Sequence, residues 1–137
     1  MTSCVFCRIV AKEIPATVVH EDEHTLAFMD IGQVNPGHVL VALKKHADNI
    51  YALEDAQAGA VFRAAARVAR AIRGAFEPQG LSVYQANGAA AGQTVLHLHI
   101  HLVPRYEGDG MALTWPVKNP PREMLVEYAE RIRAKLG

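Results

Sequence analysis

Three histidines stand at alternate positions in one short run, His97-Leu98-His99-Ile100-His101-Leu102-Val103. On an extended strand this alternation projects all three imidazoles from one face, roughly 7 Å apart at successive positions, and sends Leu98, Ile100 and Leu102 to the other. A single histidine on a strand is an ordinary polar residue. Three facing one small volume, beside the glycine- and alanine-rich stretch from Gly88 to Gly92, mark a place for chemistry. Two chemistries are open. Three imidazoles and a water make a catalytic zinc site; without metal, one imidazole can attack an electrophile while its neighbours orient it and bind the oxyanion. Asn87-Gly88 and Ala91-Gly92-Gln93-Thr94 supply amide and hydroxyl donors, and backbone that a phosphate can approach closely.

The two cysteines, Cys4 and Cys7, form a Cys-x-x-Cys pair. In a reducing compartment such a pair is a metal or redox pair rather than a structural disulfide. A cytoplasmic location is the expectation, because the first residues lack the basic region, apolar run and cleavage site of a secretory leader. A thioredoxin-like redox role is weak, since no strand precedes the pair as a βαβ unit requires.

The elements that must position these residues follow from periodicity. A short helix is expected over 4–11, stopping ahead of Pro15. Strands at 17–20 and 25–29 form a hairpin through the polar residues 21–24. Residues 30–37 read as a loop and 38–43 as a strand of β-branched and aliphatic residues. Over 55–76, Val61, Phe62, Ala65, Val68, Ala69, Ile72 and Phe76 recur on one helical face, and Arg63, Arg67 and Arg70 lie on a solvated one. Pro78 and Gly80 end that helix. Strands at 81–87 and 95–103 flank the Gly88 to Gly92 loop, and a closing helix spans 121–136 with Pro121 in its first turn.

The 137 residues, half of them apolar, suit one domain spanning 1–137. Lysine plus arginine equals aspartate plus glutamate, 14 against 14, which argues against broad binding to nucleic acid or an anionic membrane surface. No apolar run approaches the ~20 residues needed to cross a bilayer. A single phosphate can still be held by imidazoles, backbone amides and side-chain donors without any basic patch.

The run His97 to Val103 resembles the signature of the histidine triad family, three histidines alternating with hydrophobics. Ala91-Gly92-Gln93-Thr94-Val95, Ile14-Pro15-Ala16, Ala27-Phe28-Met29-Asp30-Ile31, Asn35-Pro36-Gly37-His38 and Lys44-Lys45-His46 match the family in order and spacing, so the similarity runs to about Arg105. The leading cysteine pair and the Asp-Ile element make the chain similar to the histidine triad nucleotide-binding branch rather than the dinucleoside-polyphosphate hydrolase branch.

The resemblance implies an α+β fold, an antiparallel sheet of about five strands with one long helix packed on it and a C-terminal helix, in a homodimer whose sheets pair across the interface. It implies a purine nucleotide substrate, cleaved at the α-phosphorus through a covalent nucleotidyl-histidine. By motif position, His99 is the nucleophile and His101 binds phosphate oxygens, with His38 lining the same pocket. Asn87, Gln93 and Thr94 orient phosphate or leaving group; Thr94 stands where many relatives have serine and keeps the hydroxyl. Asp30 holds the ribose hydroxyls, Phe6, Ile9, Phe28 and Ile31 sandwich the base, and Val95 joins the nucleotide pocket. Zinc-containing relatives resemble this chain at Cys4, Cys7, His46 and His97, which implies a structural zinc and no catalytic metal. The competing readings are two buried free thiols, a zinc held by all three triad histidines, a dinucleoside polyphosphate hydrolase, and a nucleotide-binding interaction module with incidental activity. An imidazole nucleophile with an unperturbed pKa of about 6.5 would lose turnover below that pH. His20 and His24 read as ordinary polar residues, and Leu43 replaces a proline common before the Lys-x-His element.

Overall fold

The computed structural model describes residues 3–112 and 114–137. Its main elements are α1 (Val5–Val10), β1 (Val18–Glu21), β2 (Thr25–Met29), β3 (Val39–Leu43), α2 (Asp55–Phe76), β4 (Gly80–Tyr84), β5 (His99–Arg105) and α3 (Arg122–Arg133). The strands form one antiparallel sheet in the order β1-β2-β3-β5-β4. This is the α+β architecture the sequence led us to expect.

α2 covers one face of the sheet. Val61, Ala64, Ala65, Val68 and Ile72 meet Ala27, Val39, Val41, Leu43, Leu98, Ile100 and Leu102 in the main core, and burying each large aliphatic there is worth about 1.5–3 kcal/mol. The helix starts where the Glu54 amide donates to Gln57 Oε1 and ends where Glu77 turns left-handed ahead of Pro78. The opposite face carries a smaller cluster, Phe6, Leu26, Phe28, Leu40 and Ala42. β3 is buried on both faces, which explains its unbroken apolar run Val-Leu-Val-Ala-Leu.

Several sequence expectations shift. Phe62 and Phe76 leave the core and stand exposed, while Ala60 and Ala64 join its buried residues. The small alanines let α2 sit close to the sheet, and Phe76 instead lies over Gly37. A Cβ at Gly37, which has φ +98°, would come within 2.9 Å of that ring. β4 ends at Tyr84 rather than 87 because the Gln85 and Asn87 amides pair with each other and Asn87 Oδ1 takes the Ile50 amide. β5 starts at His99 rather than 95, since the chain bends where the His97 amide bonds the Val95 carbonyl and the Leu98 amide bonds the Ala47 carbonyl. α3 has no buried residue. Among the described residues no helix is long and apolar enough to cross a membrane.

Candidate active site

The bend before β5 splits the histidine run. Register pairs His99 with Ala42 and His101 with Leu40, so both rings stand on the sheet face away from α2, with Ile100 and Leu102 in the core behind them. His97 lies outside the strand, fully buried, and its ring turns toward α1. The three rings therefore do not converge on one metal. His97 joins Cys4, Cys7 and His46, and the three-histidine zinc reading is corrected on that geometry.

His97 Nδ1 is 3.3 Å from Cys4 Sγ, 3.5 Å from Cys7 Sγ and 3.1 Å from His46 Nδ1, which is itself 3.3 Å from Cys7 Sγ. The outer ring nitrogens are engaged: His97 Nε2 donates to the Leu43 carbonyl at 2.6 Å and His46 Nε2 to the Asp48 carboxylate at 2.7 Å. With the proton of each ring held outside, two nitrogen lone pairs face each other among two sulfurs. Two thiols can donate to these nitrogens or give up their protons to a cation, and the type, spacing and outward hydrogen bonds of the four atoms suit a four-coordinate zinc. This group could hold a metal ion.

The second group faces a pocket of 830 Å³ lined by Phe6, Ile9, Phe28, Asp30, Ile31, Thr94, Val95, His99 and His101 among others. His99 Nδ1 donates to the His97 carbonyl at 2.7 Å, which leaves Nε2 as the unprotonated nitrogen of a neutral ring. The Phe6 ring meets His99 edge to face with centroids 4.9 Å apart. Behind His101 a proton chain sets its tautomer. The Val34 amide can only donate, so His38 Nδ1 accepts from it at 3.2 Å; His38 Nε2–H then donates to His101 Nδ1 at 3.0 Å, and the His101 proton sits on Nε2. The same assignment argues against a metal among Asp30, His38 and His101, close as their ligand atoms are, because His38 Nε2 keeps its proton.

Burial holds the His97 and His99 imidazoles below the ordinary histidine value. It takes His101 down to about 4, helped by the neighbouring His99 and His38 rings. His99, the nucleophile the family resemblance implies, thus takes up its proton at a lower pH than an unperturbed imidazole because of its burial. Asp30 accepts the Gly32 amide through Oδ1 at 2.8 Å and sets Oδ2 3.4 Å from His38 Nε2. Ile31 stands fully exposed at the pocket rim.

Three residues expected at the pocket are placed elsewhere, the first of them His38, which is buried behind His101 and does not line it. Asn87 and Gln93 do not line the pocket. Asn87 is occupied by Ile50 and Gln85, and Gln93 accepts from the Gly88 amide and donates to the Asp48 and Val95 carbonyls. Both hold the 85–95 loop in shape. Gln33 is a residue the sequence reading missed: it lines the pocket, and its Oε1 accepts the Gly37 and His38 amides, closing the 30–38 loop that carries Asp30. A lone glutamine in a loop sends no signal of its own.

An antiparallel sheet presenting alternating histidines on one strand defines the histidine triad class, and a HIT domain model matches residues 11–108. The chain belongs to that family. A crystal structure of a HIT family member from Bacillus subtilis superposes with a TM-score of 0.95 at 44% identity over 99% of both chains. The adenosine 5'-monophosphoramidase hnt1 of Schizosaccharomyces pombe is 34% identical over 98% of each chain. A zinc-bound histidine triad family protein from Mycobacterium smegmatis superposes with a TM-score of 0.76 at 33% identity, covering 97% of this chain and 98% of its own.

Proposed function

We propose that this protein is a nucleotide hydrolase or nucleotidyl transferase acting at the α-phosphorus of purine nucleoside phosphoramidates or related nucleotidyl compounds. The observation that carries the reading is the pair of opposite tautomers in one pocket: His99 offers a lone pair at Nε2 and His101 offers an N–H. In the reaction, His99 Nε2 attacks the α-phosphorus, the phosphorus–nitrogen bond breaks, and the leaving amine takes a proton from water at the pocket rim. His101 Nε2–H bonds the phosphate oxygen as charge builds there. Water then displaces His99 and releases the nucleoside monophosphate. Asp30 accepts from the ribose hydroxyls, and Phe6, Ile9, Phe28 and Ile31 form the apolar walls for the base, with Val95 beside them. Thr94 places its hydroxyl near the leaving group.

Lysine and arginine are absent from the pocket lining, which favours a small amine as leaving group over the polyphosphate of a dinucleoside polyphosphate. The relationship to the S. pombe monophosphoramidase supports the same choice. The Cys4, Cys7, His46, His97 group holds a structural zinc in this reading, as its donor set and the zinc-bound relative suggest. The protein works in the cytoplasm, where thiols stay reduced, and as a homodimer. β4 leaves an open sheet edge with Val83 and Tyr84 exposed on it, and Phe62 is exposed on α2. Mixing the protein with adenosine 5'-phosphoramidate, quenching in acid-free denaturant and weighing the peptides by mass spectrometry should find a nucleotide on His99. A modified residue elsewhere, or turnover with no adduct under rapid quench, would overturn the assignment.

A further inference from the structure

α1 has six residues and buries one of them, Phe6. A helix that short does not hold itself together in water. Yet it forms a wall of the nucleotide pocket, to which Val5, Phe6 and Ile9 all contribute. Apolar contacts of Phe6, Ile9 and Val10 with the Leu26, Phe28, Leu40 and Ala42 cluster hold part of this wall, and the sulfur group holds its N-terminal turn: Cys4 at the N-cap and Cys7 one turn on both reach His97, and Cys7 reaches His46. The same His97 holds the nucleophile position, because its carbonyl takes the His99 Nδ1–H and its own Nε2 is anchored on Leu43. Phe6 closes the circuit, packing edge-on against Phe28, His97 and His99.

From this arrangement we infer that metal held by Cys4, Cys7, His46 and His97 tethers α1 as the wall of the nucleotide pocket, which makes Cys4, Cys7 and His46 positioning residues for nucleotide recognition. The inference rests on the proposed function for the identity of the ligand. Binding free energies are reciprocal, so if the metal strengthens nucleotide binding, nucleotide must strengthen metal retention by the same factor.

The test compares zinc-loaded protein, chelator-treated protein and His46→Gln. It measures metal content, adenosine monophosphate affinity by calorimetry, and hydrogen exchange of residues 5–10 against residues 99–105. His46→Gln keeps three ligands and changes an exposed one, so it serves if the stripped wild type unfolds. The expected result is loss of protection in α1 while β5 stays protected, with the monophosphate Kd raised about tenfold or more and restored in the wild type by added zinc. The monophosphate should also slow metal loss to a chelator. An unchanged Kd at reduced metal content would overturn the inference, as would α1 protection that does not respond to metal. Should zinc-loaded protein bind no monophosphate, the functional reading fails, and the exchange comparison still decides whether the metal tethers α1.

Discussion

His97 and His99 are two residues apart and carry the same ring, yet they serve opposite ends of one site. His97 lies in a bend, keeps its proton on Nε2 against Leu43, and turns Nδ1 toward two sulfurs. His99 lies on a strand, keeps its proton on Nδ1 against the carbonyl of His97, and leaves Nε2 for the pocket. Both are buried and held neutral. What separates the proposed metal ligand from the proposed nucleophile is which nitrogen the nearest carbonyl occupies, and the backbone bend decides that.

The contrast can be broken from either side. His99→Ala should lower turnover of a nucleoside phosphoramidate by about 10³-fold or more while the protein folds and binds monophosphate; steady-state kinetics with residual activity near wild type would remove His99 from its role. Cys7→Ser acts at the other end and should lower the melting temperature by about 10 °C, a few kcal/mol for a domain of this size, as calorimetry would read. Asp30→Asn should raise KM about tenfold with a smaller change in kcat, since it weakens a charge-assisted contact to bound substrate.

Acidity probes both ends together. Because burial depresses His99, the fall of kcat/KM on acidification should be centred below pH 6.5. Stability follows the linked sign. Below its ordinary pKa of about 6.5 the unfolded chain takes up protons that the folded His97, His99 and His101 refuse, so folding free energy is lost as pH falls from there toward about 4. A denaturation midpoint independent of pH across that window would contradict the burial argument. The smallest expected effect is at Thr94, exposed on the pocket rim. Thr94→Ser keeps the hydroxyl and should change kcat/KM by no more than about twofold.

Much of the fold was legible because it follows local periodicity. The alternation of Leu98, Ile100 and Leu102 with the histidines, and the 3.6-residue recurrence of Val61, Ala65, Val68 and Ile72, each name a buried face without reference to the rest of the chain. The candidate metal group was legible where a residue type has few uses, as with Cys4 and Cys7, which the structure brings together with His46 and His97. The pocket was illegible where an amide's partners lie far along the chain. Asn87 and Gln93 carry the right groups for a phosphate, but Ile50 and Asp48, some forty residues away, claim them first. Phe62 and Phe76 recur at the core spacing, yet Phe62 stands exposed on α2 and Phe76 lies over Gly37, a contact with a loop some forty residues away.

By itself the sequence determined which residues can do chemistry here, three alternating histidines and a cysteine pair, and the apolar strand that backs them. Strand alternation treats all three histidines alike, and it was only the family resemblance that implied a division between sulfur and substrate. The physical cause of the division lies in the tertiary structure: the Leu98 amide is drawn to Ala47, β5 starts at His99, and His97 lies outside the strand beside Cys4, Cys7 and His46. The cause is hydrogen bonding between segments distant in the chain, and no local periodicity encodes it.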